Sequence, residues 1–173
     1  MKWQKKLKLY YQVNRMIKAI LACDEEWGIG KNNALPWPKN PADLKWFKSC
    51  TVGGTVVMGR NTWESDMPTP LSDRTNIVVS SDTSLENDGC MVVSLSALRK
   101  LFSDFRTDEK EMWIIGGATL IDGVLPCLDE IWLSRIEGKY DCDVFLPSEK
   151  ICNNFMLMST ETTDGVAIEK WIK

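Results

Sequence analysis

The sequence contains no histidine, no long apolar run and no closely spaced cysteine pair. Without histidine, it cannot form imidazole-based catalytic triads, histidine metal sites or imidazole proton relays. It also has no stretch of about 18 uninterrupted apolar residues, which excludes a hydrophobic membrane-spanning helix. Any chemistry must therefore come from carboxylates, thiols, lysine or a bound cofactor.

The chain has six cysteines: Cys23, Cys50, Cys90, Cys127, Cys142 and Cys152. They form no C-x-x-C pair, and without histidine their spacing does not fit a metal site, so we expect no metal. A chain of 173 residues can bury a core without disulfide bonds. We therefore expect six reduced thiols in a cytoplasmic protein.

The charge is unevenly distributed along the chain. Overall, 21 basic and 24 acidic residues give a net charge of -3, but residues 1–15 hold five bases and no acid. Residues 16–173 therefore carry a net charge of -8. This acidic body disfavours a nucleic-acid binder, which needs clustered positive charge to displace counterions from phosphate. The apolar run in residues 1–15 is too short for a secretion signal, so we interpret them as a basic extension of unknown role.

Composition and pattern indicate one α/β domain over residues 16–173. With 44% hydrophobic and 26% charged residues, the composition is that of an ordinary globular domain. Apolar runs predict strands at residues 17–23, 55–58, 76–80, 91–94, 112–115 and 130–136, and residues 161–173 predict a terminal hairpin strand. Helical patterns occur at residues 41–50, 95–105 and 118–125. This alternation is typical of a mostly parallel sheet with right-handed crossovers.

Three predicted strand ends carry residues that suit a phosphorylated ligand. Residues 59–63 combine a glycine turn with Arg60 at a helix start, and residues 115–120 lead a strand through a Gly-Gly pair into a helix. Ser80 and Ser81 add two hydroxyls at a third strand end. Each feature alone is also typical of an ordinary turn. Three of them at the carboxyl edge of one parallel sheet favour a dinucleotide ligand.

One carboxylate stands out on the predicted helix at residues 41–50. Asn40 can cap this helix and Pro41 suits its first turn, which places Asp43 where an acid often has only a capping role. Asp43 also shares an apolar face with Phe47, one helical turn later. A carboxylate on an apolar face is either partnered or functional, and the capping and functional interpretations both stay open.

Several short motifs occur in an order and at intervals that are similar to those of one known family. They are Ile29-Gly30, Leu35-Pro36-Trp37, Pro41-Ala42-Asp43-Leu44, Trp46-Phe47, Met58-Gly59-Arg60, Thr62-Trp63, Ile115-Gly116-Gly117 and Phe145-Leu146-Pro147. From about Met16 to the C-terminus, the chain resembles dihydrofolate reductase. The resemblance implies a largely parallel eight-stranded sheet with an antiparallel last strand, flanked by helices. It also implies reduction of dihydrofolate to tetrahydrofolate by hydride transfer from NADPH, which feeds one-carbon, thymidylate and purine synthesis.

The resemblance implies a substrate site built from an acid, a hydroxyl, an arginine and an apolar wall. Asp43 would bind the pterin 2-amino group and N3 and support protonation at N5, while Ser134 would hold the carboxylate. Burial should raise the pKa of Asp43. Arg74 would bind the glutamate α-carboxylate of the substrate through a paired fork. The apolar wall would consist of Ile20, Leu35, Leu44 and Phe47.

For the cofactor, the resemblance implies NADPH and three groups of contacts. The nicotinamide end would be held by Ala22, Ile29, Gly30 and Ala34. The pyrophosphate would lie against Asn61, Thr62, Gly116, Gly117, Ala118, Thr119 and Leu120. Arg60 and Ser81 would contact the 2'-phosphate, with Ser80 beside them.

Some positions depart from the family pattern. Ile121 replaces a tyrosine that many members place near the nicotinamide, which predicts a slower hydride step. Thr119 replaces a frequent second arginine for the 2'-phosphate, which predicts a weaker preference for NADPH. One extra residue lies between Trp37 and Pro41, and another before Pro70, so we expect the loops there to differ in geometry.

Two alternative functions stay open at this point. The pyrimidine reductase of riboflavin synthesis is similar in fold and cofactor, although the pterin-type helix with Asp43 and Phe47 counts against it. A reductase-like binding or assembly component with little activity is the other alternative, supported by the basic extension and by Ile121. We expect a monomer that binds dihydrofolate and associates with neither nucleic acid nor membranes.

Overall fold

The computed structural model describes residues 16–105 and 111–173. The basic extension at residues 1–15 lies outside the described residues, so the domain boundary at residue 16 stays a prediction.

The described residues contain ten strands: β1 Ile17–Cys23, β2 Gly28–Gly30, β3 Thr55–Gly59, β4 Thr75–Val79, β5 Met91–Val93, β6 Met112–Ile114, β7 Glu130–Arg135, β8 Val144–Phe145, β9 Met156–Thr163 and β10 Val166–Ile172. They also contain five α-helices: α1 Pro41–Thr51, α2 Arg60–Trp63, α3 Leu95–Phe105, α4 Ala118–Val124 and α5 Ser148–Asn154. Two short 3-10 helices span Thr83–Asp88 and Leu125–Cys127. The six predicted strands and three predicted helices are all present, with ends displaced by one residue at most.

Eight of these strands form one sheet in the order β5-β4-β3-β6-β1-β7-β10-β9. The strands from β5 to β7 in this order are mutually parallel, whereas β10 runs antiparallel to β7 and to β9. The predicted fold class is therefore confirmed, and the terminal hairpin begins earlier than predicted, at Met156. The other two strands, β2 and β8, pair with each other outside the main sheet.

Apolar side chains on the two faces of the sheet form two cores. Side chains alternate along a strand, so Ala19 and Leu21 of β1 enter the larger core while Ile20 enters the smaller one. Residues 56–58 of β3 are fully buried because a parallel strand in mid-sheet is covered on both faces. The central strands are thereby fixed, and the loops at their carboxyl ends start from a rigid base.

The described residues contain no helix that is both long and apolar enough to cross a membrane. No disulfide bond joins any of the six cysteines, all of which lie in the described part of the chain. Among residues 16–105 and 111–173, no group of three or more Cys, Asp or Glu side chains is arranged to hold a metal ion.

Candidate active site

A cleft of about 1340 Å³ opens at the edge of the sheet where β1, β3, β6 and β7 end. Helices α1, α2 and α4 contribute to its sides. Its wall includes all the site residues predicted from sequence except Ser80 and Ser81: Ile20, Ala22, Ile29, Gly30, Ala34, Leu35, Asp43, Leu44, Phe47, Arg60, Asn61, Thr62, Arg74, Gly116, Gly117, Ala118, Thr119, Leu120 and Ser134. The parallel topology therefore gathers residues from distant parts of the chain into one concave surface.

Asp43 lies in the first turn of α1, but a different residue caps that helix. The side-chain oxygen of Asn40 accepts hydrogen bonds from the backbone N–H groups of Ala42 and Asp43, both at 3.1 Å. The Asp43 carboxylate is therefore not needed as a cap, and Asp43 is only 8% exposed. Of the two interpretations of this acid, capping is the one that the geometry does not support.

The environment of Asp43 combines burial with one hydroxyl partner. Burial raises the pKa of Asp43, and a hydrogen bond from the side chain of Ser134 on β7 partly offsets this rise. Ser134 is itself buried, on the strand next to β1. Within residues 16–105 and 111–173, no basic side chain forms an ion pair with Asp43. The carboxylate still has acceptor positions that N–H groups of a ligand can satisfy.

The walls around Asp43 are apolar and partly uncovered. Ile20 on β1 is buried, and Phe47, one turn after Asp43 on α1, is half-buried. Leu35 and Leu44 are 50% and 39% exposed, although both line the cleft. Exposed leucines on a concave surface are typical of a site that an apolar ring of a ligand covers.

Arg74 is held in a fixed orientation at the other end of α1. Its Nε donates to Thr51 Oγ1 at 2.9 Å, and its Nη1 donates to the Ser72 carbonyl at 3.1 Å. The guanidinium carbon lies 5.8 Å from the centre of the Phe47 ring. Burial lowers the pKa of Arg74, but an arginine keeps its charge in proteins. Arg74 is thus a positioned cation on the cleft wall.

The backbone of Arg74, directly before β4, is held by the buried side-chain amide of Asn76. Asn76 on β4 accepts a hydrogen bond from the Leu71 N–H at 3.0 Å and donates to the Leu71 and Arg74 carbonyls at 2.9 and 3.1 Å. These bonds tie both ends of the loop at residues 71–74 to the sheet. The position of Asn76 in an apolar strand gave no sign of this function in the sequence.

Asp43 and Arg74 mark two ends of one helix. Asp43 lies in the first turn of α1, and Thr51, which binds Arg74, is its last residue. Thr51 is eight positions after Asp43, which corresponds to about 12 Å along the helix axis. The cleft between them therefore suits a ligand with a hydrogen-bonding ring at one end and an anion at the other.

The two glycine junctions meet at the cleft. The backbone N–H of Gly59 donates to the Gly116 carbonyl at 2.8 Å, and the peptide bond between Gly116 and Gly117 is cis. Gly116 has a φ of +118°, and a Cβ atom there would lie 3.4 Å from Leu21 Cδ2. Gly59 and Gly117 are the N-caps of α2 and α4, and neither helix has a side-chain cap. The two junctions lie in contact, and the first N–H groups of α2 and α4 have no side-chain cap and can donate hydrogen bonds to a ligand. These residues therefore fit a phosphate-bearing cofactor.

Arg60, which begins α2, is exposed and already has two acidic partners. Its Nε donates to Glu64 Oε1 at 2.7 Å, and its Nη1 lies 3.2 Å from Asp82 Oδ2. Ser80 accepts a hydrogen bond from the Asp82 N–H at 3.0 Å and, like Ser81, lies outside the cleft wall. The phosphate contacts of Ser80 and Ser81 therefore stay predictions.

A loop from β2 to α1 closes one side of the cleft. β2 pairs with β8, and the Asn32 N–H donates to Asp143 Oδ2 at 2.9 Å. In the turn between β1 and β2, Asp24 is 1% exposed and accepts hydrogen bonds from the N–H groups of Glu26 and Gly28. Burial alone would raise the pKa of Asp24, but hydrogen bonds from backbone N–H groups lower it instead. Asp24 therefore stays ionised and anchors the turn that leads into β2.

The cleft wall also includes residues that were not assigned from the sequence: Leu21, Asn33, Lys39, Lys48, Gly59, Ser65, Asp66, Met67, Pro68, Pro70, Leu71, Ser72, Val79, Leu95, Ile115, Asp143 and Val144. Two signals could have found some of them. Asp143 and Val144 directly precede the Phe145-Leu146-Pro147 motif, and residues 65–72 follow Thr62-Trp63. Ile121, in contrast, is fully buried in the larger core.

The chain is similar to known dihydrofolate reductases in both sequence and structure. A profile of the dihydrofolate reductase family matches residues 16–168. Dihydrofolate reductase of Bacillus subtilis is 39% identical over 146 residues, covering 84% of this chain and 83% of that protein. The enzyme of Haemophilus influenzae is 40% identical over 119 residues, covering 69% and 71%. A solved structure of Enterococcus faecalis dihydrofolate reductase, complexed with NADP(H) and RAB-propyl, superposes with a TM-score of 0.78 at 29% identity, covering 91% and 95%.

Proposed function

The chain belongs to the dihydrofolate reductase family, and from this premise we propose how its residues perform that family's reaction. The reaction is the reduction of dihydrofolate to tetrahydrofolate with NADPH as the hydride donor. The observation that carries the proposal is the buried carboxylate of Asp43, which has no basic partner among the described residues and lies at the apolar end of a cleft with an arginine at its other end.

The pterin ring lies against Asp43. The carboxylate accepts hydrogen bonds from the 2-amino group and N3, which compensates a buried charge that would otherwise lack partners. The Ser134 hydroxyl fixes the orientation of the carboxylate. The negative charge favours the pterin form that is protonated at N5, and this form accepts hydride at C6 more readily. Ile20, Leu35, Leu44 and Phe47 cover the apolar faces of the substrate and exclude water.

The glutamate tail extends along α1 to Arg74. The bonds to Thr51 and Ser72 orient the guanidinium before substrate arrives, so little side-chain entropy is lost on binding. A paired fork to the α-carboxylate then gives both charge and direction. This contact lies far from the reacting atoms, so it supports affinity and positioning rather than proton transfer.

The rest of the cleft would hold NADPH, which supplies the hydride when bound. Ala22, Ile29, Gly30 and Ala34 would hold its nicotinamide end, where small side chains allow the two rings to approach. Uncapped backbone N–H groups at the starts of α2 and α4 would hold the pyrophosphate, together with Asn61 and Thr62. Arg60 would lie near the 2'-phosphate.

We also propose that the chain acts as a monomer in the cytoplasm. The absence of any disulfide bond among its six cysteines is compatible with a reducing compartment. Every residue proposed for the reaction comes from one copy of the chain, between residues 20 and 134. The basic extension at residues 1–15 is then dispensable for turnover.

An assay of NADPH oxidation tests the proposed function directly. Purified chain, with and without residues 1–15, is given dihydrofolate or the ribityl pyrimidine substrate of riboflavin synthesis. We expect turnover of dihydrofolate alone, at the same rate for both chain lengths. Turnover of the pyrimidine would favour the pyrimidine reductase, and NADPH binding without turnover of either substrate would favour a binding component.

A further inference from the structure

At the exposed end of the proposed cofactor site, the arginine that would bind a 2'-phosphate is already paired with acidic side chains. Arg60 is the residue on the cleft wall proposed for that phosphate. It lies between two carboxylates, with Glu64 at its Nε and Asp82 at its Nη1. The three side chains together carry a net charge of about -1 at neutral pH. A phosphate with about two negative charges is poorly matched to such a group.

The positions of the two acids on the guanidinium also matter. An arginine binds a phosphate bidentately along its side edge, Nε with Nη2, or its end edge, Nη1 with Nη2. Glu64 occupies Nε at 2.7 Å and Asp82 lies 3.2 Å from Nη1, so each edge has one donor already engaged. An incoming phosphate must displace one of these carboxylates to form two bonds.

Asp82 is held next to Arg60 by hydrogen bonds to its own neighbours in the chain. Its Oδ1 accepts hydrogen bonds from the backbone N–H and the hydroxyl of Ser84, at 3.0 and 2.6 Å, while its own N–H donates to Ser80. The hydrogen bonds from Ser84 help to lower the pKa of Asp82, so it is ionised at neutral pH. These bonds leave Oδ2 directed at Arg60.

We propose that Asp82 sets the cofactor preference of this chain by competing with the 2'-phosphate of the cofactor for the end edge of Arg60. This inference rests on the proposed function, because it concerns the same cofactor site. In Rossmann-type dinucleotide sites, a carboxylate binds the ribose 2'-hydroxyl of NADH and an arginine accommodates the 2'-phosphate of NADPH, and the same charge argument applies to Arg60 and Asp82. The chain therefore uses NADH with an efficiency closer to that of NADPH than an unobstructed Arg60 would allow.

The Asp82→Asn variant isolates this effect. Asparagine keeps the side-chain oxygen that accepts from Ser84, so the local turn is retained while the charge is lost. Asp164→Asn is the matched control, because Asp164 forms an exposed ion pair with Lys45 and does not contact Arg60. Both substitutions change the net charge equally, so a difference between them reports the contact with Arg60.

Calorimetric titration with two fragments gives a readout that does not depend on turnover. We expect Asp82→Asn to bind 2',5'-ADP about fivefold tighter than wild type and 5'-AMP equally well, with Asp164→Asn unchanged. In steady-state assays, the ratio of kcat/KM for NADPH over NADH rises by a similar factor. The gain disappears in an Arg60→Ala background.

Several outcomes would overturn the proposal. They are equal shifts for both fragments, equal shifts in Asp82→Asn and Asp164→Asn, no shift at all, or a gain that persists without Arg60. Wild-type turnover of dihydrofolate distinguishes a failure of the competition at Arg60 from a failure of the proposed function. If wild type is active and Asp82→Asn shows no shift, only the competition at Arg60 is wrong; if wild type neither binds NADPH nor reduces dihydrofolate, the proposed function fails as well.

Discussion

At the scale of single residues, the two charged side chains proposed to bind the substrate, Asp43 and Arg74, have different surroundings. Asp43 is buried, has a raised pKa and is held by one hydroxyl, whereas Arg74 is held by three groups and keeps its charge. A buried acid without a cation reduces the stability of the folded chain at neutral pH. Such a feature is typical of a functional site and not of a structural one.

The effect of the buried Asp43 carboxylate on the stability of the folded chain can be measured as a function of pH. Because the folded state raises the pKa of Asp43, the folded chain binds more protons than the unfolded chain between the two pKa values. This contribution to stability is thus present below the unfolded pKa, about 3.9, and is lost as the pH rises through the folded pKa. Asp43→Asn should therefore raise the melting temperature by a few degrees at neutral pH and have little effect near pH 4, as measured by calorimetry. A lower melting temperature at neutral pH would contradict this assignment.

Replacing Arg74 should weaken the binding of dihydrofolate but not that of a pterin without the glutamate tail. Removing the guanidinium in Arg74→Ala removes a charge-assisted fork, so we expect KM for dihydrofolate to rise roughly 10- to 100-fold. A pterin without the glutamate tail should show almost no change between wild type and variant. Steady-state kinetics with both substrates makes the comparison. An equal loss for both would show that Arg74 does not bind the carboxylate.

At the scale of elements, the main sheet was predictable and the smaller pair of strands was not. The strands of the sheet could be placed because Val- and Ile-rich runs such as residues 55–58 are buried on both faces. β2 and β8 are three and two residues long, and β2 has the sequence Gly-Ile-Gly, so neither carries a periodic pattern. Their pairing is set by contacts between segments more than 100 residues apart in the chain.

The candidate site was predictable to a similar extent, for a physical reason. Residues at the ends of predicted strands, such as Gly116, and the acid on α1 lie together on the cleft wall, because the carboxyl ends of parallel strands share one edge of the sheet. Ser80 also follows a strand, but its hydroxyl turns to the backbone of Asp82 instead of the cleft. The acidic partners of Arg60 come from two different elements, and such pairs become visible only in three dimensions.

The glycine junction before α4 can be tested by adding a single methyl group to Gly116. Gly116→Ala places a Cβ atom at a φ of +118°, 3.4 Å from Leu21 Cδ2, on the wall of the proposed cofactor site. We expect a loss of about 1 to 3 kcal/mol in the free energy of unfolding from the strained backbone, together with weaker NADPH binding. Chemical denaturation and NADPH titration measure the two effects.

A matched control separates backbone strain from cofactor contact. Gly165, in the turn between β9 and β10, has a φ of +87° and no atom within 4 Å of an added Cβ. Gly165→Ala should lose stability through its backbone while leaving NADPH affinity unchanged. If both variants bound NADPH as wild type does, the glycine junction would not belong to the cofactor site.

At the scale of the whole molecule, the sheet holds two ligands that must meet. The carboxyl ends of β1 and β7 carry Ala22 and Ser134, and those of β3 and β6 lead to Arg60 and Gly116, so one cleft wall includes residues that we propose for both ligands. The loop that follows β2 contributes Asn33, Ala34 and Leu35 to the cleft wall, and the Asn32 N–H donates a hydrogen bond to Asp143. The fold therefore supplies proximity and exclusion of water, and Asp43 supplies the charge.

The most direct test is the pH dependence of turnover for wild type and Asp43→Asn, with dihydrofolate and NADPH. We predict that the variant is slower by roughly 100-fold or more at neutral pH, and that the gap narrows as the pH falls because solvent then supplies the proton. The dissociation constant of NADPH should stay the same in both proteins. Equal turnover at neutral pH, or a gap of constant size across the pH range, would contradict the function assigned to this carboxylate.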